Sequence, residues 1–263
     1  MRDERAAPSW FNGAVDLPTI RELLAGAWIA AEGTTLREED EKKALELVGF
    51  LREAAHLLRP SAKRRTVVDA AAGKGYVGLL LARLGHRVTL LERDPKRVER
   101  LCDAASRLDV ASRVVAKVCD VADLAAWPEA PWLVASLHAC GDATDRTLAG
   151  AIASRARHVL VAPCCVATQL DAATRASAHA ERLGIAHFSE AKRRVVEGMV
   201  LGERALVLEA AGYKVEPVAF VPPTVSPYNV ALRGTRVDEP ARRARAEVAL
   251  RRLRSPGAPA DDS

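Results

Sequence analysis

The sequence predicts an α/β protein, a parallel sheet whose strands are linked by crossover helices. Three observations carry this. Short aliphatic, β-branched runs recur from residue 66 onward, with helix-patterned stretches between most of them. The first run leads through a glycine-bearing turn into a helix, Val67-Val68-Asp69-Ala70-Ala71-Ala72-Gly73-Lys74-Gly75-Tyr76-Val77-Gly78. Apolar residues make up 49% and charged residues 28% of the 263 residues, a globular balance that excludes a disordered or collagen-like chain.

Residues 1–62 read as helical, with no strand signal. One apolar-periodic stretch runs from Thr19 to about Ala31. A second, roughly Leu36–Leu58, places Leu45, Leu47, Val48, Leu51 and Ala55 at helical spacing and ends before Pro60. Thr66–Asp69 is then a strand, Val77–Leu84 a helix and Arg87–Glu92 the next strand. Asp94-Pro95 opens a helix to about Leu108, with proline in its first turn. Ser112–Val118, Pro131–Leu137 and His158–Ala162 read as strands three to five. A long helix covers Glu190–Ala211. Tyr213–Val221 and Tyr228–Gly234, joined by a short proline-containing loop, read as an antiparallel hairpin. An Arg-loaded helix, Glu239–Arg254, and a soft tail follow. The expected division is a helical extension (1–62), a sheet domain (63–236) and a basic helix with tail (237–263).

The 39 Lys and Arg against 34 Asp and Glu leave a net charge of +5, which permits nucleic-acid binding without demonstrating it. Lys63-Arg64-Arg65, Lys192-Arg193-Arg194 and the terminal arginines from Arg242 to Arg254 line either a nucleic-acid path or solvated helix faces. Five cysteines form no small-domain framework, and the start, Met1-Arg2-Asp3-Glu4-Arg5, has no apolar leader core. No apolar run approaches the ~18 residues of a membrane span. The expectation is a cytoplasmic monomer with reduced thiols and no membrane contact.

The glycine-rich turn is the most informative segment. Glycines let a ligand approach the backbone, and the helix start offers unpaired N–H groups. Two ligands compete. Gly73-x-Gly75-x-x-Gly78, with Glu92 nineteen residues beyond Gly73, matches a dinucleotide fingerprint and would suit NAD(P) in an oxidoreductase. The alternative is S-adenosyl-L-methionine (SAM). Asp69 at the strand end would repel a pyrophosphate but tolerate a ligand bearing a sulfonium and an amino group. Ala70-Ala71-Ala72 also separate the strand from the first glycine. In either reading Glu92 accepts hydrogen bonds from ribose hydroxyls.

Asp69-Ala-Ala-Ala-Gly-Lys-Gly-Tyr76, with Leu137-His138-Ala139-Cys140-Gly141-Asp142-Ala143-Thr144-Asp145 and Pro163-Cys164-Cys165, resembles a branch of the class I SAM-dependent methyltransferases. That branch includes tRNA 2′-O-methyltransferases and related methyltransferase-like proteins. The resemblance spans roughly residues 60–235. It implies a Rossmann-like seven-stranded sheet of order 3-2-1-4-5-7-6, with strand 7 antiparallel. It implies that Asp69, Ala70, Ala71, Gly73, Gly75 and Tyr76 form the methionine-binding turn. Glu92 and Arg93 would sit by the ribose, Asp120 and Val121 by the adenine, and Leu137 and His138 beyond the fourth strand. Ala71 stands where a first glycine is common, which a tight turn accommodates if φ stays negative. Val166-Ala167 stand where the tRNA enzymes carry histidine after the cysteine pair. RNA is the acceptor class the resemblance favours, and a catalytically silent SAM-fold binding module is its other outcome.

Positioning supplies much of the rate of methyl transfer, and a base is needed only for a weakly nucleophilic acceptor. His138, Asp142 and Asp145 are the candidate bases. His138 reads equally as a hydrogen-bonded pocket residue, and Asp142-x-x-Asp145 as an acidic helix cap. Cys164 is the candidate nucleophile, its alternative being a small buried residue. No metal is expected, because His138, Cys140, Cys164 and Cys165 lack a local metal-ligand spacing.

Overall fold

A computed structural model describes residues 15–29, 33–58, 65–163, 166 and 168–255. Seven strands form one sheet: β1 (Thr66–Ala70), β2 (Arg87–Glu92), β3 (Val114–Val118), β4 (Leu133–Leu137), β5 (His158–Ala162), β6 (Tyr213–Ala219) and β7 (Val230–Arg236). The order is β3-β2-β1-β4-β5-β7-β6. Pairing is parallel from β3 through β5, and β7 runs antiparallel to both β5 and β6. This is the Rossmann-like order, with an antiparallel seventh strand, that the resemblance implies. β5 is buried at every position, as a parallel strand covered on both faces should be.

The helices are α1 (Leu17–Leu24), α2 (Glu38–Leu58), α3 (Tyr76–Arg83), α4 (Pro95–Arg107), α5 (Asp142–Ala153), α6 (Asp171–Arg182), α7 (Glu190–Ala210) and α8 (Pro240–Arg254). α1 starts earlier than the periodicity indicates, because the Asp16 carboxylate accepts the Thr19 N–H at 2.8 Å and Pro18 fits the first turn. Asp94 caps α4 by accepting the Lys96 N–H at 2.9 Å. Ser189 caps α7 through the Lys192 N–H. The expected continuation of the first helix to Ala31 becomes a π-helical turn, Ala25–Ile29, and residues 30–32 lie outside the described residues.

The N-terminal helices are part of the main core. Ile20, Leu24, Leu47, Phe50, Leu51 and Leu58 pack in one cluster with Leu79, Leu81, Leu90 and Leu160. Each such buried side chain is worth about 1.5–3 kcal/mol, so α1 and α2 are anchored firmly to the sheet. Gly49 is the close-approach point of α2, since a Cβ there would lie 2.0 Å from the Phe220 carbonyl oxygen. The crossovers bring the carboxyl ends of β1, β2, β3 and β4 to one edge. The order in which the strands are connected reverses between β1 and β4, the usual place for a ligand crevice.

Candidate functional site

A cavity of about 270 Å³ opens at this edge. Ala71, Glu92, Arg93, Asp120, Val121, His138 and Asp142 line it, together with Arg97, Cys140 and Arg146. Seven sequence-predicted site residues therefore meet around one space. Arg146 gave no motif signal, yet it joins both walls. Its guanidinium lies 2.6 Å from Asp142 and 3.3 Å from Asp120. Asp120 also accepts the Ala122 N–H at 2.8 Å; that bond, with Arg146 and Arg93 nearby, holds its pKa below the ordinary value.

Glu92 ends β2 with only 5% of its surface exposed. One carboxylate oxygen accepts the Gly73 N–H at 2.8 Å and the other the Asp94 N–H at 3.0 Å. A carboxylate has about four acceptor positions, so each oxygen retains capacity for a ribose hydroxyl. Gly73 (φ +58°) and Gly75 (φ +73°) occupy the left-handed region. A Cβ on Gly73 would meet nothing within 4 Å, so the backbone there stands bare before open space. These features fit an adenosyl ligand.

Two expectations need correction. Asp69 does not face the crevice. It is 3% exposed beneath the turn, where its carboxylate accepts the Gly78 N–H at 2.8 Å. Burial raises its pKa to about 7 against that hydrogen bond, and the Glu92 charge adds to the rise. Ala71 takes φ +54°, not a negative value. An alanine there carries a steric cost that glycine would avoid. Of the other turn residues, Ala70 is fully buried in β1. Gly75 is the α3 N-cap, and Tyr76 begins α3 with its ring 4.9 Å from that of Trp28. Trp28 in turn donates its indole N–H to the Lys74 carbonyl at 2.9 Å, tying the π-helical turn to the glycine turn. Gly73 and Lys74 line a neighbouring cleft, with Trp28, Arg97, Arg100 and Arg107, rather than the cavity itself.

Leu137 ends β4, and His138 follows at φ +71°, an uncommon conformation for a residue with a side chain. Its backbone N–H donates to the Ala162 carbonyl, and its ring Nε2 lies 2.8 Å from Glu46 Oε2. Glu46 comes from α2 and was not anticipated. It is buried, and Lys43 Nζ also reaches Oε2, at 2.6 Å. Burial works to raise the Glu46 pKa, yet the bonds and charges of His138 and Lys43 bring it down to about 2. Asp142 is the first residue of α5 rather than its cap, a place taken by Gly141. Asp145 is held at 2.8 and 2.9 Å by the buried Arg204, which also donates to the Gly141 carbonyl.

Cys164 lies outside the described residues. Cys102 and Cys119 are free, whereas Cys140 is disulfide-bonded, correcting the expectation of reduced thiols there. The basic runs are largely engaged locally. Lys192 meets Glu181, Arg193 meets Glu190 and Glu197, Arg194 meets Glu190, and Arg242 meets Glu209 and Glu239. Arg65 stacks on Trp132, with its guanidinium carbon 3.6 Å from the ring centroid. Lys63 and Arg64 lie outside the described residues. Among the described residues no helix is long and apolar enough to cross a membrane.

A doubly wound sheet with a glycine turn and strand-end carboxylates at its switch point defines an α/β protein with a crevice at the place where such sheets hold ligands. The family model for a methyltransferase domain matches residues 42–173, half of the chain, and the chain belongs to that family. A Xenopus laevis protein, described as a glutathione S-transferase C-terminal domain-containing protein, is 27% identical over 251 residues. The match covers 87% of this chain but 38% of that protein, so the chain spans well under half of its relative's length. Among solved structures, magnesium protoporphyrin IX methyltransferase (ChlM) from Synechocystis PCC 6803 with bound SAH aligns with a TM-score of 0.49 at 12% identity, covering 84% of this chain and 99% of that one. The Methanococcus jannaschii fibrillarin pre-rRNA processing protein aligns with a TM-score of 0.49 at 12% identity, covering 74% and 75%.

Proposed function

We propose that this chain is a SAM-dependent methyltransferase. The observation that carries the reading is the single cavity joining Glu92, Asp120 and Val121 to His138 and Asp142, in a chain of a methyltransferase family. Glu92 would accept the ribose hydroxyls, and Asp120 the adenine amino group. Ala71 and Val121 would give the adenosyl group apolar contact, and the bare backbone at Gly73 would admit the methionine end, while Gly75 packs against Leu101 and shapes the turn. When bound, SAM supplies a methyl group on a cationic sulfur, activated for in-line displacement. His138 would take the proton that an acceptor O–H or N–H gives up. Asp142 is less suited to that task because Arg146 already holds its carboxylate. Cys164, the candidate nucleophile, lies outside the described residues. RNA is the acceptor class that the motif resemblance favours.

The test is calorimetric titration of the purified protein with SAM, S-adenosylhomocysteine (SAH) and NADH in parallel. Micromolar binding of SAM and SAH without NADH supports the proposal and justifies a labelled-methyl screen against RNA and protein extracts. NADH binding alone would turn the glycine turn over to the oxidoreductase reading. Binding of SAM with no acceptor in the screen would favour the silent module.

A further inference from the structure

We infer that Glu46, carried on α2, positions the His138 ring and fixes which of its nitrogens is basic, so that the N-terminal helices supply part of the catalytic apparatus. The inference rests on the methyltransferase reading for its chemical purpose, but the pairing itself stands on geometry. His138 projects from a left-handed backbone position at the end of β4. Glu46 reaches it across 92 residues of sequence, with Nε2 and Oε2 2.8 Å apart. A glutamate that is 7% exposed on a helix otherwise buried through Ala44, Leu47, Phe50 and Leu51 costs desolvation energy, so a specific partner must offset it.

The protonation logic is closed. Glu46 is ionised at neutral pH, given the hydrogen bonds and charges of Lys43 and His138 around it. An ionised carboxylate only accepts hydrogen bonds. The nitrogen facing it must therefore carry the proton, and the neutral ring is the Nε2–H tautomer. Its basic lone pair is on Nδ1, the atom that would receive the acceptor's proton. Once it has taken that proton, the ring still faces the Glu46 carboxylate at hydrogen-bond distance. Lys43, 2.6 Å from the same oxygen, keeps that carboxylate ionised. Trp28 on the Lys74 carbonyl is a second tie of the N-terminal segment, to the glycine turn.

The experiment is long-range proton–nitrogen NMR on protein labelled with ¹⁵N-histidine, one of six histidine types to be resolved. The His138 signals are assigned by their loss in His138→Asn. In the wild-type chain the neutral His138 ring should carry its proton on Nε2. In Glu46→Gln, whose amide can donate as well as accept, the ring should move toward the Nδ1–H form. A wild-type ring protonated on Nδ1, or an unchanged pattern in the folded variant, overturns the inference. The wild-type spectrum decides alone if the variant fails to fold. SAH titration of the same sample separates the two levels: absence of SAH binding defeats the methyltransferase reading, while the ring signature still reports on the Glu46–His138 pair.

Discussion

Replacing Asp69 by Asn should make the protein more stable at pH 8 and leave it nearly unchanged at pH 4. The carboxyl is buried beneath the glycine turn and titrates near pH 7 in the fold, against 3.8 for its ordinary value. Between those two values the folded chain holds a proton that the unfolded chain has released. Stability therefore falls as pH rises through that window, and the contribution is lost once pH passes 7. At 1.36 kcal/mol per pH unit, the gap sets a ceiling of about 4 kcal/mol. Local relaxation and water penetration bring the expected effect to about 1–3 kcal/mol. Asparagine keeps an oxygen to accept the Gly78 N–H, so the turn itself survives. The assay is urea unfolding of both proteins at half-unit steps from pH 4 to pH 8, with the difference in unfolding free energy plotted against pH. The difference should grow in favour of the Asn variant up to about pH 7 and then level off. A flat difference, or one in which the variant loses ground as pH rises, would mean that Asp69 is a stabilised carboxylate and that the burial argument is wrong.

Other substitutions test the same crevice. Ala71→Gly removes a Cβ from a φ +54° position and should stabilise the fold by up to about 1 kcal/mol, the strain relieved being partly offset by glycine's unfolded-state entropy. Thermal unfolding reads this as a higher midpoint, and a clear drop would show that the methyl packs usefully. Gly78→Ala would set a Cβ 2.2 Å from Leu90 Cδ2 and 3.0 Å from Asp69 Oδ2, so a loss of about 1–3 kcal/mol is expected in denaturant titration. Glu92→Ala should weaken SAH binding by about 1–3 kcal/mol through lost charge-assisted hydrogen bonds. Calorimetry on the folded variant measures it, and wild-type affinity would remove Glu92 from the pocket.

Much of the sheet was legible because β-branched runs are short and bounded: Arg87–Glu92 and His158–Ala162 match the observed strands end to end. The cavity was largely legible too, because ligand groups in such sheets come from strand ends, and Glu92, Asp120 and His138 sit at or just beyond them. Which way Asp69 points was not legible. β1 is buried on both faces, so no polar–apolar alternation marks which face of the strand a residue takes. α6 escaped notice because its buried face is alanine, at 173, 176 and 180, in a chain rich in alanine throughout. Glu46 escaped for a different reason. Leu45 was read into the apolar stripe, yet it is 36% exposed, while the glutamate beside it turns inward. A charge on the buried side of a helix is itself a signal, but its partner lies 92 residues away and only the fold joins them.

The most direct test of the central claim is a crystal structure of the protein with SAH. The adenosine should lie in the cavity at the ends of β1 to β4, with its ribose hydroxyls on Glu92 and its adenine beside Asp120 and Val121. A ligand found instead in the cleft of Trp28, Arg100 and Arg107, or no ligand density at saturating SAH, would contradict the assignment of this crevice as the methyl-donor site.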